Sequence, residues 1–212
     1  MAIFDDLPYL SYDVLISEPN KVDNGTIEFA RLLEEHDNRV SLPLRNDTAD
    51  LAFPTRKFAW LMESKREKLN FYRFLYRIRG RQKMMWIPSW REDYQLTQDV
   101  SAGSATITVK GNALSFYDFE TIFDKHLIFM LSDGSFEYRS ITGYESSGNP
   151  GDAETLTLDR PFYSGLLRSN VVAICFMSLA RLDHDLIEIK HHTNQIATAI
   201  TVFKTVWNIR DV

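Results

Sequence analysis

Ser64-Lys65-Arg66-Glu67-Lys68-Leu69-Asn70-Phe71-Tyr72-Arg73-Phe74-Leu75-Tyr76-Arg77-Ile78-Arg79-Gly80 is the clearest structural signal in this chain. Ser64 and Glu67 form a capping box, in which the Ser64 hydroxyl accepts from the Glu67 N–H and the Glu67 side chain reaches back. Phe71, Phe74, Leu75 and Ile78 follow at i, i+3, i+4 and i+7, one apolar stripe of a helix. Burying those four side chains contributes roughly 6–12 kcal/mol before entropy. Arg77 and Arg79 stand where the C-terminal dipole favours cations. Gly80 is placed to adopt the left-handed conformation that ends a helix. The spacing predicts a helix over residues 65–79.

Outward from this helix the pattern changes to strands. Lys83-Met84-Met85-Trp86-Ile87 reads as a strand closed by Pro88-Ser89-Trp90. Upstream, Thr26–Leu33, Arg39–Leu44 and Ala52–Leu61 are expected strands, with Glu34–Asn38 as a hairpin loop. Residues 1–25, rich in Asp, Pro and Asn, read as an extended arm bearing Phe4, Leu7 and Tyr9. Ser104–Lys110 and Glu154–Asp159 alternate apolar and polar residues, as half-buried strands do. Ser132-Asp133-Gly134-Ser135 reads as a hairpin turn, and Ser146–Asp152 as a Gly/Pro/Ser loop. Val172–Leu179, Leu186–His191 and Ala197–Val206 are expected to pair in sequence order as a meander. The implied class is mainly β (α+β). A β-sandwich-like body, residues 1–96 with 171–212, carries the single helix, and residues 97–170 form an inserted small β-barrel or β-sandwich.

Composition narrows the function. The 212 residues carry a net charge of −5 with the basic residues dispersed, which argues against a nucleic-acid surface. The one cysteine, Cys175, lies in the apolar run Val171–Met177 and reads as a buried small hydrophobe, so no internal disulfide is expected. No run of 18 or more apolar residues occurs, so no membrane span is expected. Met1-Ala2-Ile3-Phe4-Asp5-Asp6 lacks the basic start and apolar core of a signal peptide. Aromatic residues make up 13% of the chain, the kind that favours sheets and anchors interfaces.

The segment Phe74–Asp93, with its Arg79-Gly80-Arg81 turn followed by Trp86-Ile87-Pro88-Ser89-Trp90 and Asp93, resembles a recurring segment of tailed-bacteriophage minor tail proteins. Pro54-Thr55-Arg56 resembles that family too, as does Arg181-Leu182-Asp183-His184-Asp185 before the last sheet strands. The resemblance touches both ends of the chain and leaves residues 97–170 uncovered. It implies a structural protein of the distal-tail or baseplate type, without enzymatic activity or cofactor. It implies a ring of identical copies between the tail tube protein and the hub or fibre proteins. Such a chain is made in the host cytoplasm and ends in the virion. Arg77, Arg79, Arg81, Phe4, Leu7 and Tyr9 are then interface candidates. Gly80, Trp86, Pro88, Trp90, Arg181, Asp183 and Asp185 are the structural motif residues.

Other readings compete at particular residues. Arg77, Arg79, Arg81 and Lys83 suit a phosphate patch, against the plainer role of cations at a helix end. In strict alternation Trp86, Pro88 and Trp90 share a face, which suits a stacked sugar and hence a carbohydrate-binding β module, against simple packing on the helix stripe. His184, His191 and His192 with Asp183 and Asp185 suit a metal-dependent hydrolase. Yet His191 and His192 point to opposite faces of a strand, and no His-Glu-x-x-His or Cys-x-x-Cys spacing occurs. No Gly-x-Ser-x-Gly elbow or phosphate-binding loop occurs either.

Overall fold

A computed structural model of the chain describes residues 8–19, 26–30, 33–36, 44–47, 53–110, 125–145 and 152–206. It divides into two compact units, residues 1–85 with 179–212 and residues 86–178. The chain is mainly β, with antiparallel pairing and one α-helix among the described residues.

The first unit is a sheet with the helix against one face. Its strands are β2 (Thr26–Ala30), β5 (Phe53–Met62), β12 (Ile189–His191) and β13 (Ala197–Thr205), with the end of β11 (Val171–Leu182). β13 is the hub. It pairs with β5 from Ala197↔Met62 to Lys204↔Thr55, and elsewhere with β12 and with Ala180–Leu182 of β11. β2 lies on the far side of β5. The expected meander is therefore corrected: β11 skips β12 and pairs with β13, while residues 183–188 form a connection rather than the start of a strand. That connection carries three acids and a histidine with no apolar alternation until Ile189, so no sheet face holds it.

Helix α1 (Lys65–Ile78) packs Phe71, Phe74 and Ile78 inward, each about 1% exposed. They meet the inner face of β5 and β13, whose alternate residues Phe58, Trp60, Met62, Ala197, Ala199, Thr201 and Phe203 are buried. The Trp60 ring lies 5.6 Å from Phe71 and 5.8 Å from Phe74. Its indole N–H donates to Thr201 Oγ1 at 2.8 Å in the interior, so the ring is buried without stranding its polar atom. The expected stripe is thus three buried residues and a half-buried Leu75. At the helix end the reading needs a correction: Arg79 itself is left-handed (φ 51°, ψ 48°), and its N–H bonds to Leu75 O. Gly80 follows, also at positive φ (62°).

Strands β3 (Leu33–His36) and β4 (Leu44–Asp47) form a separate two-stranded ribbon. Glu34, Glu35 and His36, expected in a loop, are in β3, with Glu35 opposite Arg45. Polar composition suggested a turn, but a two-stranded ribbon needs no apolar face to satisfy its backbone. Asn38 and residues 39–43 of that expected hairpin lie outside the described residues.

The second unit contains the N-terminal half of β11, with β8 (His126–Leu131), β9 (Phe136–Glu145), β10 (Glu154–Phe162) and β7 (Ser104–Val109), paired in the order β11-β8-β9-β10-β7. Residues 94–97 close the ring: Tyr94 bridges to Ile174 of β11, and Leu96 to Val109 of β7. A sheet whose first and last strands are joined leaves no long open edge, and the enclosed space fills with side chains. Tyr94, Leu96, Ile107, Val109, Leu127, Phe129, Leu156 and Ile174 fill it. The sequence pattern placed this unit at residues 97–170. The compact unit takes in residues 86–96 and 171–178 because Tyr94 and Leu96 are core residues and Val171–Met177 pair with β8. The expected turn at Ser132–Ser135 joins β8 to β9, with Gly134 at φ 83°. Residues 146–151 of the expected Gly/Pro/Ser loop lie outside the described residues. Cys175 is fully buried.

Candidate functional site

In the first unit the C-terminal turn of α1 gathers the arginines. The N-terminal end is fixed as the capping box requires: Glu67 N–H donates to Ser64 Oγ at 3.2 Å. The return bond reaches one residue further back, from Glu63 N–H to Glu67 Oε2 at 2.8 Å. Lys68 Nζ donates to Asn194 O, and the Tyr72 hydroxyl lies 3.4 Å from His191 Nε2, so the helix is tied to the β12–β13 connection.

At the other end two carboxylates hold the turn. Asp13 takes the Arg77 guanidinium in a fork, Nε to Oδ2 at 2.9 Å and a terminal nitrogen to Oδ1 at 2.6 Å. Both side chains are partly exposed, 45% and 19%, so the pair contributes only about 0.5–1 kcal/mol; its value is orientation. Asp185 Oδ1 accepts the Arg81 backbone N–H at 2.8 Å, 104 positions away in sequence. Asp185 lies so close to Gly80 that a Cβ built there would run into its carboxylate. The 183–185 turn is itself seated by Asp183 N–H on Val202 O at 2.9 Å.

The structure thus sorts the residues singled out from sequence. Gly80 and Asp185 come together in one joint, and Asp183 seats the turn that carries Asp185. Arg77 is occupied by Asp13, while the Arg79 and Arg81 side chains are exposed. Arg181 is exposed on β11, opposite Lys204 of β13. Tyr9 is only 4% exposed. Its backbone bonds reciprocally with Tyr12 around Leu10 and Ser11, both at positive φ. Phe4 and Leu7 lie outside the described residues. Asp13 was not flagged by sequence reading, because nothing local marks an acid 64 positions from its arginine.

Trp86 and Pro88 are buried in the second unit, so the sugar platform is corrected. Trp86 lies 4.4 Å from the His126 ring. Trp90 sits at φ 49°, which breaks the alternation that would have set the two indoles on one face. The bend is built by Asp93. Its Oδ2 accepts the Phe176 N–H at 2.8 Å and the Ser89 hydroxyl, and Ser89 N–H donates to Phe176 O at 2.8 Å. The Pro-Ser-Trp-x-x-Asp run is a corner clamp. Burial lowers the His126 pKa to about 4, opposed by the nearby Asp159 charge.

The three C-terminal histidines have separate partners: His184 with Asp183 at 3.2 Å, His191 with Tyr72, and His192 Nε2 with Thr198 Oγ1 at 2.9 Å. Among the described residues no three His, Cys, Asp or Glu side chains converge as a metal site. The second unit carries a groove of about 440 Å³ that sequence reading did not anticipate. Leu131, Asp133, Ser164, Leu167 and Asn170 line it. Hydrogen bonds from the Ser135 hydroxyl and N–H hold the Asp133 carboxyl below its ordinary pKa.

No protein-family model matches the chain, and no curated protein matches it. No helix among the described residues is long and apolar enough to cross a membrane.

Proposed function

We propose that the chain is a non-enzymatic structural component of a phage tail tip, a ring subunit linking the tail tube to the hub or fibres. One observation carries the reading: the Arg79-Gly80-Arg81 turn and the Asp183–Asp185 turn, two of the segments behind the resemblance, meet through the Arg81–Asp185 bond. A joint between segments so far apart gives both motifs one architectural purpose. It leaves the Arg79 and Arg81 side chains exposed for planar, bidentate contacts with carboxylates of neighbouring copies. The partners in this reading are further copies, the tube protein and the hub or fibre proteins, and the location is the virion after synthesis in the host cytoplasm. Mass spectrometry of purified particles tests it. The expected result is this chain at a few copies per virion; its exclusion from particles, while abundant in the lysate, rejects the proposal.

A second reading, a glycan-binding β module, is favoured by the groove of the second unit rather than by the tryptophans. Asp133, Ser164 and Asn170 offer polar contacts there, and Tyr163, beside Ser164, is 83% exposed. Glycan-array binding that is lost in Asp133→Ala and Tyr163→Ala, but kept in Trp90→Ala, would select this reading.

A further inference from the structure

The outer face of α1 is unusual for a face that meets only water. Leu69 and Tyr76 lie opposite the buried stripe, 49% and 83% exposed. Seven residues apart on a helix, they stand on one line about 10 Å long. Lys65, Arg66, Arg73 and Arg79 are exposed around them, and none has an ion-pair partner among the described residues. The outer positions of the helix hold no carboxylate, because Glu67 is turned to the N-terminal cap.

Helix stability does not account for these charges. Lys65 and Arg66 stand in the first turn, where the dipole disfavours cations. Arg73 and Arg77 are like charges at i, i+4, a spacing that is destabilising. Leu69 and Tyr76 expose apolar surface that folding did not bury. A bare cationic stripe around two apolar anchors fits a ligand with the reverse pattern, carboxylates around apolar anchors, and Tyr and Arg are the residues that concentrate binding energy in interfaces.

The chain contains such a segment: Ile3-Phe4-Asp5-Asp6-Leu7, two adjacent acids between apolar residues. We propose that the outer face of α1 receives the segment Ile3–Leu7 of a second copy of this chain. Phe4 and Leu7 cover Leu69 and Tyr76, while Asp5 and Asp6 meet Arg66 and Arg73. The proposal rests on the ring reading, which brings copies together, and it names the surface one copy offers the next. A polyanion such as DNA is the competing occupant. It fits less well, because phosphates use the cations but leave Leu69 without a partner, and the chain's overall charge of −5 opposes a long polyanion.

The test mixes full-length chain at natural abundance with ¹⁵N-labelled chain and applies a carbodiimide, which joins carboxylates to amines in contact. The expected product is a mixed-isotope cross-link between Asp5 or Asp6 and Lys65. A cross-link found only within one isotope, or mixed links only elsewhere, overturns the proposal. In a second measurement, an acetylated peptide of residues 1–10 is titrated against the chain lacking residues 1–8. Its binding should weaken at least about tenfold in Arg66→Glu/Arg73→Glu and with added salt. Binding unchanged in that variant, or absent while a 20-base-pair DNA duplex binds, overturns it as well. Circular dichroism confirms that the charge-reversed helix is folded. If virions contain the chain but the cross-link is missing, the docking fails and the tail reading stands. If the cross-link forms but virions lack the chain, the reverse holds.

Discussion

Replacing Gly80 by valine tests the joint at the end of α1 most directly. Gly80 sits at φ 62°, and the three atoms nearest a Cβ built there all belong to the Asp185 side chain. A β-branched residue in that backbone region costs roughly 1–3 kcal/mol. The carboxylate must also swing away, breaking the bond from Arg81 N–H, which adds about 0.5–1.5 kcal/mol. The expected loss is roughly 2–4 kcal/mol, a fall in Tm of about 5–15 °C for a protein of this size. Asp185→Ala alone removes only the hydrogen bond and should cost about 0.5–1.5 kcal/mol. In the Asp185→Ala background the valine meets no carboxylate, so the double variant should be more stable than the sum of the singles by about 0.5–1.5 kcal/mol. Differential scanning calorimetry of the four proteins completes the cycle. Additivity within about 0.3 kcal/mol, or an unchanged Tm for Gly80→Val, would refute the assignment of this contact.

Trp60→Phe should destabilise by about 1–3 kcal/mol in urea titration, because Thr201 Oγ1 is left in the interior without its indole donor; restoring most of the loss with Thr201→Val would confirm the cause. Arg77→Ala should cost less than about 1 kcal/mol, and the difference from wild type should shrink with salt, since the Asp13 pair is partly exposed. His126, held at about 4 when folded against 6.5 as its ordinary value, takes up its proton later in the folded than in the unfolded chain. Stability is therefore full above the unfolded value and falls as pH drops from about 6.5 toward 4. His126→Phe should flatten that part of the pH profile of Tm, and a profile indistinguishable from wild type would argue against a buried neutral imidazole.

The helix was legible because its code is local: cap, stripe and stop occupy seventeen consecutive residues. Alternation placed β7 and β10 for the same reason, since period two is a property of the strand itself. What escaped was set by distant partners. Glu34–His36 read as a turn by composition, and only pairing with Leu44–Asn46 makes it a strand. Trp86 and Trp90 fit one face by counting, but Asp93 bends the chain between β6 (Met85–Pro88) and β11, and Trp90 is rotated into positive φ. The unit boundary moved because Tyr94 and Leu96 close the barrel through bridges to strands that begin well downstream. In the candidate site the sequence named Gly80 and Asp185 separately and could not show them touching. Asp13 carried no signal at all.

The arginines around the end of α1 show how one short run serves different physical ends. Arg77 spends its charge on Asp13 within the first unit, and Arg81 contributes its backbone N–H to Asp185. Arg79 takes the left-handed turn, a conformation that costs a non-glycine residue energy and that the adjoining Gly80–Asp185 contact holds in place. None of these three roles uses the outer face of the helix, whose character follows from the same period that makes the core. At about 100° per residue, Leu69 and Tyr76 fall within roughly 20° of each other and well over 90° from Phe74. Phe71, Phe74 and Ile78 bind the helix to its sheet. The residues two positions before Phe71 and two after Phe74 are thereby turned to solvent with their cations. The pattern that fixes the helix in the fold therefore also fixes which of its side chains remain available to another molecule.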